Sequence, residues 1–260
     1  MKLPNRPIAV ISHERSGTHL CIDSLRLWFE QTHTRQMPFR STRTLFFDLH
    51  LWIKRPTTAL LKALRSSRHR PILKLHFRVG LPGLPEEFRA FYGELLEQTD
   101  KVYVVRDGRD ALVSYFLFRQ KFDNGTSDFA EYLRQPLHPE GQPVARYWSE
   151  HVDEWLKVPG IRIVRFEALR GDYAKTVTEL GKDLRLTRTR APTERIEPDR
   201  ARWVRAIKRA FGAQRSTAVL PGKGDVGRWG DFFSESDKEL FKREAGSTLL
   251  RLGYEATPSW

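Results

Sequence analysis

The residues best placed to do chemistry first appear at Arg15-Ser16-Gly17-Thr18-His19. They follow a short apolar run, Ile8 to Ile11, long enough for one buried strand. They precede Leu20, Ile22, Leu25, Leu27 and Trp28, which recur at roughly helical spacing. A strand, a polar turn and a helix in that order form an anion site. The first amides of the helix lack internal partners, and the helix dipole adds partial positive charge there. Gly17 lets the backbone come close to a phosphate. Ser16 and Thr18 offer hydroxyls, and Arg15 offers a forked cation suited to phosphate or sulfate oxygens. The stretch is not a Walker loop, because position 12 is Ser and not Gly. Taken alone, it also fits an ordinary strand-to-helix connection with a Ser or Thr cap.

Three more stretches carry chemistry. In Tyr103-Val104-Val105-Arg106-Asp107-Gly108-Arg109-Asp110, Arg106 leaves a strand end, and Ser114 lies about two helical turns on. Both can face one phosphate; the bland alternative pairs Arg106 with Asp107 or Asp110 on the surface. Lys74 and His76 close a strand-like run, Pro71 to His76. A lone histidine there is more often structural than catalytic. Leu-Pro-Gly-Lys-Gly-Asp-Val-Gly-Arg-Trp, from Leu220 to Trp229, contains Gly-x-Gly-x-x-Gly. A dinucleotide fingerprint needs a strand before it and a helix after it. This one sits near the end of the chain with Gly230 just behind it, so the dehydrogenase reading is rejected.

The elements that must position these residues alternate. Strands are expected at 8–11, 71–76, 101–105 and 161–166. Helices are expected after Gly17, around Leu60 to Leu64, and over 86–98, 107–122, 145–158, 172–184 and 199–211, with a loop over 213–231. A terminal helix, 235–252, is stopped by Gly253. This order implies an α/β fold with a mainly parallel sheet flanked by helices. Ligands of such sheets bind beyond the carboxyl ends of the strands, where Arg15, His76 and Arg106 all fall.

The 260 residues carry a net charge of +13, so polyanions are favoured partners. From His33 to Arg70 there are nine Lys or Arg and one acid, Asp48. This segment reads as a solvated basic face and as the place to seek acceptor-specific contacts. The single cysteine, Cys21, rules out an intrachain disulfide. No apolar stretch suggests a signal peptide or a membrane span, so a cytoplasmic protein is expected.

Together these motifs resemble the cytosolic-type sulfotransferase family, which uses 3′-phosphoadenosine 5′-phosphosulfate (PAPS). Glu14 to His19 looks like its 5′-phosphosulfate loop, with Arg15 where lysine is usual. Arg106 to Ser114 looks like its 3′-phosphate motif, and Leu220 to Trp229 like the loop that closes over that phosphate. Lys74-Leu75-His76 looks like its Lys-x-His segment. Tyr254 and Glu255 resemble the end of many bacterial members. The resemblance runs from Ile8 to Glu255 and implies a single P-loop-NTPase-like domain, 1–260. Within it, 32–70 is a divergent, basic, helical insertion near the acceptor site.

Several roles are implied by the resemblance. His76 is the catalytic base, and Arg15 and Lys74 stabilise charge. Arg15, Ser16, Gly17, Thr18 and His19 hold the 5′-phosphosulfate. Arg106, Ser114, Lys223 and Gly224 hold the 3′-phosphate. Phe166 packs near the adenine where the family often has tyrosine. Gly222 stands where the family has arginine. The reaction would leave PAP, need no metal, and sulfate a small-molecule or glycan hydroxyl or amine. Glu14 is the fallback base. The dimer signature is absent after Trp229, so oligomeric state stays open. A nucleic-acid-binding protein and a nucleotide kinase of related fold are the alternatives.

Overall fold

The computed structural model describes residues 2–33, 46–122, 125–136, 141–189, 192 and 224–260. The expected helix over 199–211, the loop over 213–223, and with them Gly222 and Lys223, lie outside the described residues.

A five-stranded sheet organises the chain. Its strands are β1 (Ile8–Ile11), β2 (Phe47–Asp48), β3 (Ile72–Leu75), β4 (Asp100–Val105) and β5 (Arg162–Arg165). They lie in the order β2-β3-β1-β4-β5, and each neighbouring pair is parallel. β1 is in the middle, and all four of its residues are fully buried. That is why it reads as a continuous apolar run and not as an alternation. Its side chains still alternate between faces. Ala9 and Ile11 join one core with Leu73, Leu75, Tyr103 and Val105. Ile8 and Val10 join the other with Ile72, Val102, Val104 and Val164.

Helices α1 (Thr18–Trp28), α2 (Leu49–Trp52), α3 (Thr57–Arg65), α4 (Glu86–Glu97) and α5 (Gly108–Phe122) come in the first half. They are followed by α6 (Phe129–Arg134), α7 (Val144–Leu156), α8 (Phe166–Gly171), α9 (Tyr173–Asp183) and α10 (Glu235–Leu252). α1 and α9 cover one core through Ile22, Leu25, Val177 and Leu180. α4, α5, α7 and α10 cover the other through Leu95, Leu112, Trp148 and Phe241. α10 opens with a reciprocal Ser234–Asp237 capping box and closes at Gly253 in the left-handed conformation, φ 67°.

Three elements differ from expectation. β2 went unseen because two residues carry no readable period. α6 is announced by Asp128, whose side chain accepts from Glu131 N at 2.9 Å, an Asp-x-x-Glu start that is visible in the sequence. Phe166 was expected to end a strand and instead starts α8, because the helix formers Glu167, Ala168, Leu169 and Arg170 follow it. Among the described residues no helix is long and apolar enough to cross a membrane.

Candidate functional site

The site begins where β1 ends. Residues 12–17 turn the chain into α1, and two positive φ angles make the turn: Arg15 at 65° and Gly17 at 96°. A non-glycine residue in that region is strained, and such strain gathers at binding sites. At Gly17 the requirement is steric as well. A Cβ there would lie 2.4 Å from Cδ2 of Phe166. Ser12 Oγ and Thr18 Oγ1, 2.6 Å apart, tie the two ends of the turn. Ser16 and Thr18 are buried. His19, by contrast, is exposed, its ring edge-on to Phe46 at 5.5 Å.

Arg106 follows β4 and is only 5% exposed. Its guanidinium donates to the carbonyl of Arg15 at 3.1 Å and to that of Asp225 at 3.0 Å. It also lies over the Phe166 ring, 4.5 Å from the centroid. Its Nε is buried without a hydrogen-bond acceptor among the described residues. Arg15 donates from Nε to Ser114 Oγ at 3.4 Å and lies over Phe118 at 4.9 Å. So Arg15, Ser114, Arg106 and Phe166 do meet. Among the described residues neither guanidinium has a carboxylate in ion-pair contact. The surface pairing of Arg106 with Asp107 or Asp110 is therefore overturned. Burial makes both arginines less willing to hold their protons, and Arg106 does the same to Arg15 by repulsion. Two adjacent, half-desolvated cations are stabilised by an anion placed between or beside them.

The carboxylates nearby serve to fix backbone. Asp110 accepts from Gly227 N at 2.7 Å and Trp229 N at 3.0 Å, which pins the loop 224–231 to the first turn of α5. Glu167 accepts from Asp107 N and from the Tyr254 hydroxyl, both at 3.0 Å. Arg109 pairs with Asp107 at 2.7 Å and with Glu255, and its guanidinium lies over the rings of Trp229 and Trp260. Gly108 lets Trp148 of α7 pack against the start of α5, since a Cβ there would fall 2.5 Å from Trp148. Arg109 and Glu167 were not singled out from the sequence, and Asp110 was read only as a surface partner for Arg106; the available signal was four charged residues crowded at one strand-to-helix junction. Gly224, φ 87°, sits against the Arg170 side chain.

His76 follows β3, next to β1 in the sheet. Its Nδ1 lies 2.8 Å from the Ser12 carbonyl, so Nδ1 carries the proton and Nε2 keeps a lone pair. Its backbone is held from both sides: His76 N donates to His50 Nε2 at 3.1 Å, and His151 Nε2 donates to His76 O at 3.1 Å. Tyr103 in turn donates to His151 Nδ1 at 2.8 Å. Burial, then the Lys74 ammonium, push His76 well below the usual histidine value. Lys74 does not stand alone: its Nζ pairs with Asp48 Oδ2 at 2.7 Å. Asp48 and His50 were missed because they lie in the basic stretch read as a solvated face. Glu14 stays by the loop, its Oε2 3.8 Å from His13 Nε2.

The model of the sulfotransferase domain matches residues 5–251. No curated protein matches the chain. Among solved structures, the mouse sulfotransferase SULT7A1 complexed with PAP is similar at 16% identity and a TM-score of 0.55. The match covers 94% of this chain and 84% of that one. Retinol dehydratase in complex with androsterone and inactive cofactor PAP is similar at 19% identity and a TM-score of 0.54, over 96% of this chain and 82% of that one. At these identities the likeness speaks for the fold.

Proposed function

The chain belongs to the sulfotransferase domain family, and we propose that it moves a sulfuryl group from PAPS to the hydroxyl of a small-molecule acceptor, with His76 as base. PAPS supplies the activated sulfuryl group and, in PAP, a leaving group already bearing negative charge. The observation that carries the reading is the Arg15–Arg106 pair, two cations without a carboxylate in ion-pair contact among the described residues, joined by a hydrogen bond from Arg106 to the Arg15 carbonyl. The buried, unmatched Nε of Arg106 and the glycine cradle at Gly17 fit a phosphorylated nucleotide.

The residues divide the work. The loop amides with Ser16, Gly17 and Thr18 receive the 5′-phosphosulfate. Arg106 and Ser114 receive the 3′-phosphate, with Lys223 and Gly224 assigned to the same phosphate. Phe166 offers an apolar face to the base. Arg15 stabilises charge on the leaving oxygen; it cannot give up its proton, so its role is electrostatic. His76 takes the acceptor's proton at Nε2. Burial, and then Lys74 held by Asp48, keep the imidazole uncharged and so able to accept.

We read 1–260 as one domain, supported by the one sheet among the described residues and by the extent of the family match. The stretch 46–70 supports the acceptor side through His50. A cytoplasmic location remains the reading from the sequence. The deciding experiment is a thermal-shift comparison of 3′,5′-ADP, 5′-AMP and ATP. Preference for 3′,5′-ADP supports the transferase, and preference for ATP supports a kinase.

A further inference from the structure

At the other end of the sheet, where β1, β3 and β4 begin, a groove of about 420 Å³ opens. Arg6, Arg68, His69, Arg70 and Arg185 line it, against one acid, Asp100. We propose that this groove is a second anion site, for a small molecule carrying two or more phosphate or sulfate groups, separate from the nucleotide site.

The cations do two different jobs. Arg70 is architectural. It donates to the carbonyls of Arg6 at 2.7 Å and Leu184 at 2.9 Å and pairs with Asp100. Asp100 is shared further, with Arg6 at 3.4 Å and Arg162 at 3.6 Å, so its one charge is spent on three guanidiniums. Arg68 and Arg185 have no ion pair among the described residues, and both are exposed. They come from different elements, the turn after α3 and the turn after α9, which meet at this groove. The backbone adds a second observation. In the turn after α9, Arg185 sits at φ 55°, a left-handed position that glycine or asparagine fills with less strain. Keeping a long cation there costs local strain, which a use for its side chain explains. The volume suits a small ligand and not a bare ion. Forked guanidiniums on two sides match oxyanions that are themselves spaced apart.

The groove shares no residue with the Arg15–Arg106 site, so its test is independent of the transferase reading. The protein is first saturated with 3′,5′-ADP, then titrated calorimetrically with tripolyphosphate and, in a parallel arm, with sucrose octasulfate. One further equivalent of either anion is expected to bind, more tightly at low salt. The Arg68→Ala/Arg185→Ala double variant should lose about tenfold or more of that affinity while its 3′,5′-ADP affinity holds. The arm that binds tighter names the phosphate or the sulfate source. Arg106→Ala should show the reverse pattern, with the groove intact and the nucleotide lost. Absence of a second equivalent in both arms, or equal anion affinity in the double variant, overturns the proposal.

Discussion

One hydrogen bond of 2.8 Å joins Nδ1 of His76 to the carbonyl of Ser12, so the proposed base hangs from the first residue of the loop that carries Arg15. Proton acceptor and anion loop are thereby fixed to each other without sharing a ligand. His76→Ala should leave 3′,5′-ADP affinity near normal. With an acceptor in hand, turnover should fall by about two to four powers of ten, the range for losing a positioned base. Turnover within threefold or so of the parent would remove His76 from the mechanism. Glu14→Gln should cost far less.

The pH dependence follows from the same group. Burial and Lys74 hold His76 well below 6.5, so the lone pair on Nε2 persists on the acid side of neutrality. Activity should therefore stay flat where an ordinary histidine would already be half protonated. Stability runs with a definite sign. His13, His50 and His76 all have folded values lowered below the ordinary 6.5, chiefly by burial. The unfolded chain then binds protons first. Their contribution is complete above 6.5 and is lost as pH falls from there toward the folded values. Melting temperature should drop between pH of about 7 and about 5.5; a level profile across that window would contradict buried neutral histidines.

Nucleotide preference tests the paired arginines. At a hundredfold excess over its dissociation constant, 3′,5′-ADP should stabilise the fold by about 2.7 kcal/mol, and 5′-AMP at equal concentration by much less. Arg106→Ala should weaken 3′,5′-ADP far more than 5′-AMP. Equal losses would make Arg106 a structural residue that merely holds the carbonyls of Arg15 and Asp225.

Asp110 predicts an effect at one remove. Its carboxylate holds Gly227 N and Trp229 N, and the loop it secures presents the Asp225 carbonyl to Arg106. Asp110→Ala should weaken 3′,5′-ADP by about 1–3 kcal/mol, the range for losing bonds to a charged group. Isothermal titration would show it. Unchanged binding would mean that the loop holds its place without this anchor.

Much of this was legible because phosphate chemistry needs particular residue types. Arg15, Gly17, Thr18, Arg106 and Ser114 sit at fixed offsets from strands that also read clearly. His76 was readable only through its register with them. What escaped was long-range: Asp48 reaching Lys74, His50 reaching the His76 amide, and Asp110 reaching across to Gly227. Those partners are set by how the sheet brings distant segments together, which no local spacing encodes. The left-handed Arg15 also escaped, since nothing marks a lone arginine for a glycine-like conformation.

The central place of β1 has a consequence in time. β1 is complete by Ile11, yet its neighbours in the sheet are the strands that begin at Ile72 and Asp100. Nothing adjacent in the chain pairs with its edges, and large loops must close before it is paired. Folding should thus be slow relative to helical proteins of this length, with α1 lacking a platform until β3 and β4 have docked. The turn from Ser12 to Gly17 exists only between that strand and that helix. Recovery of 3′,5′-ADP binding during refolding should consequently lag behind the return of helical signal, so that nucleotide capture serves as a clock for the last docking step.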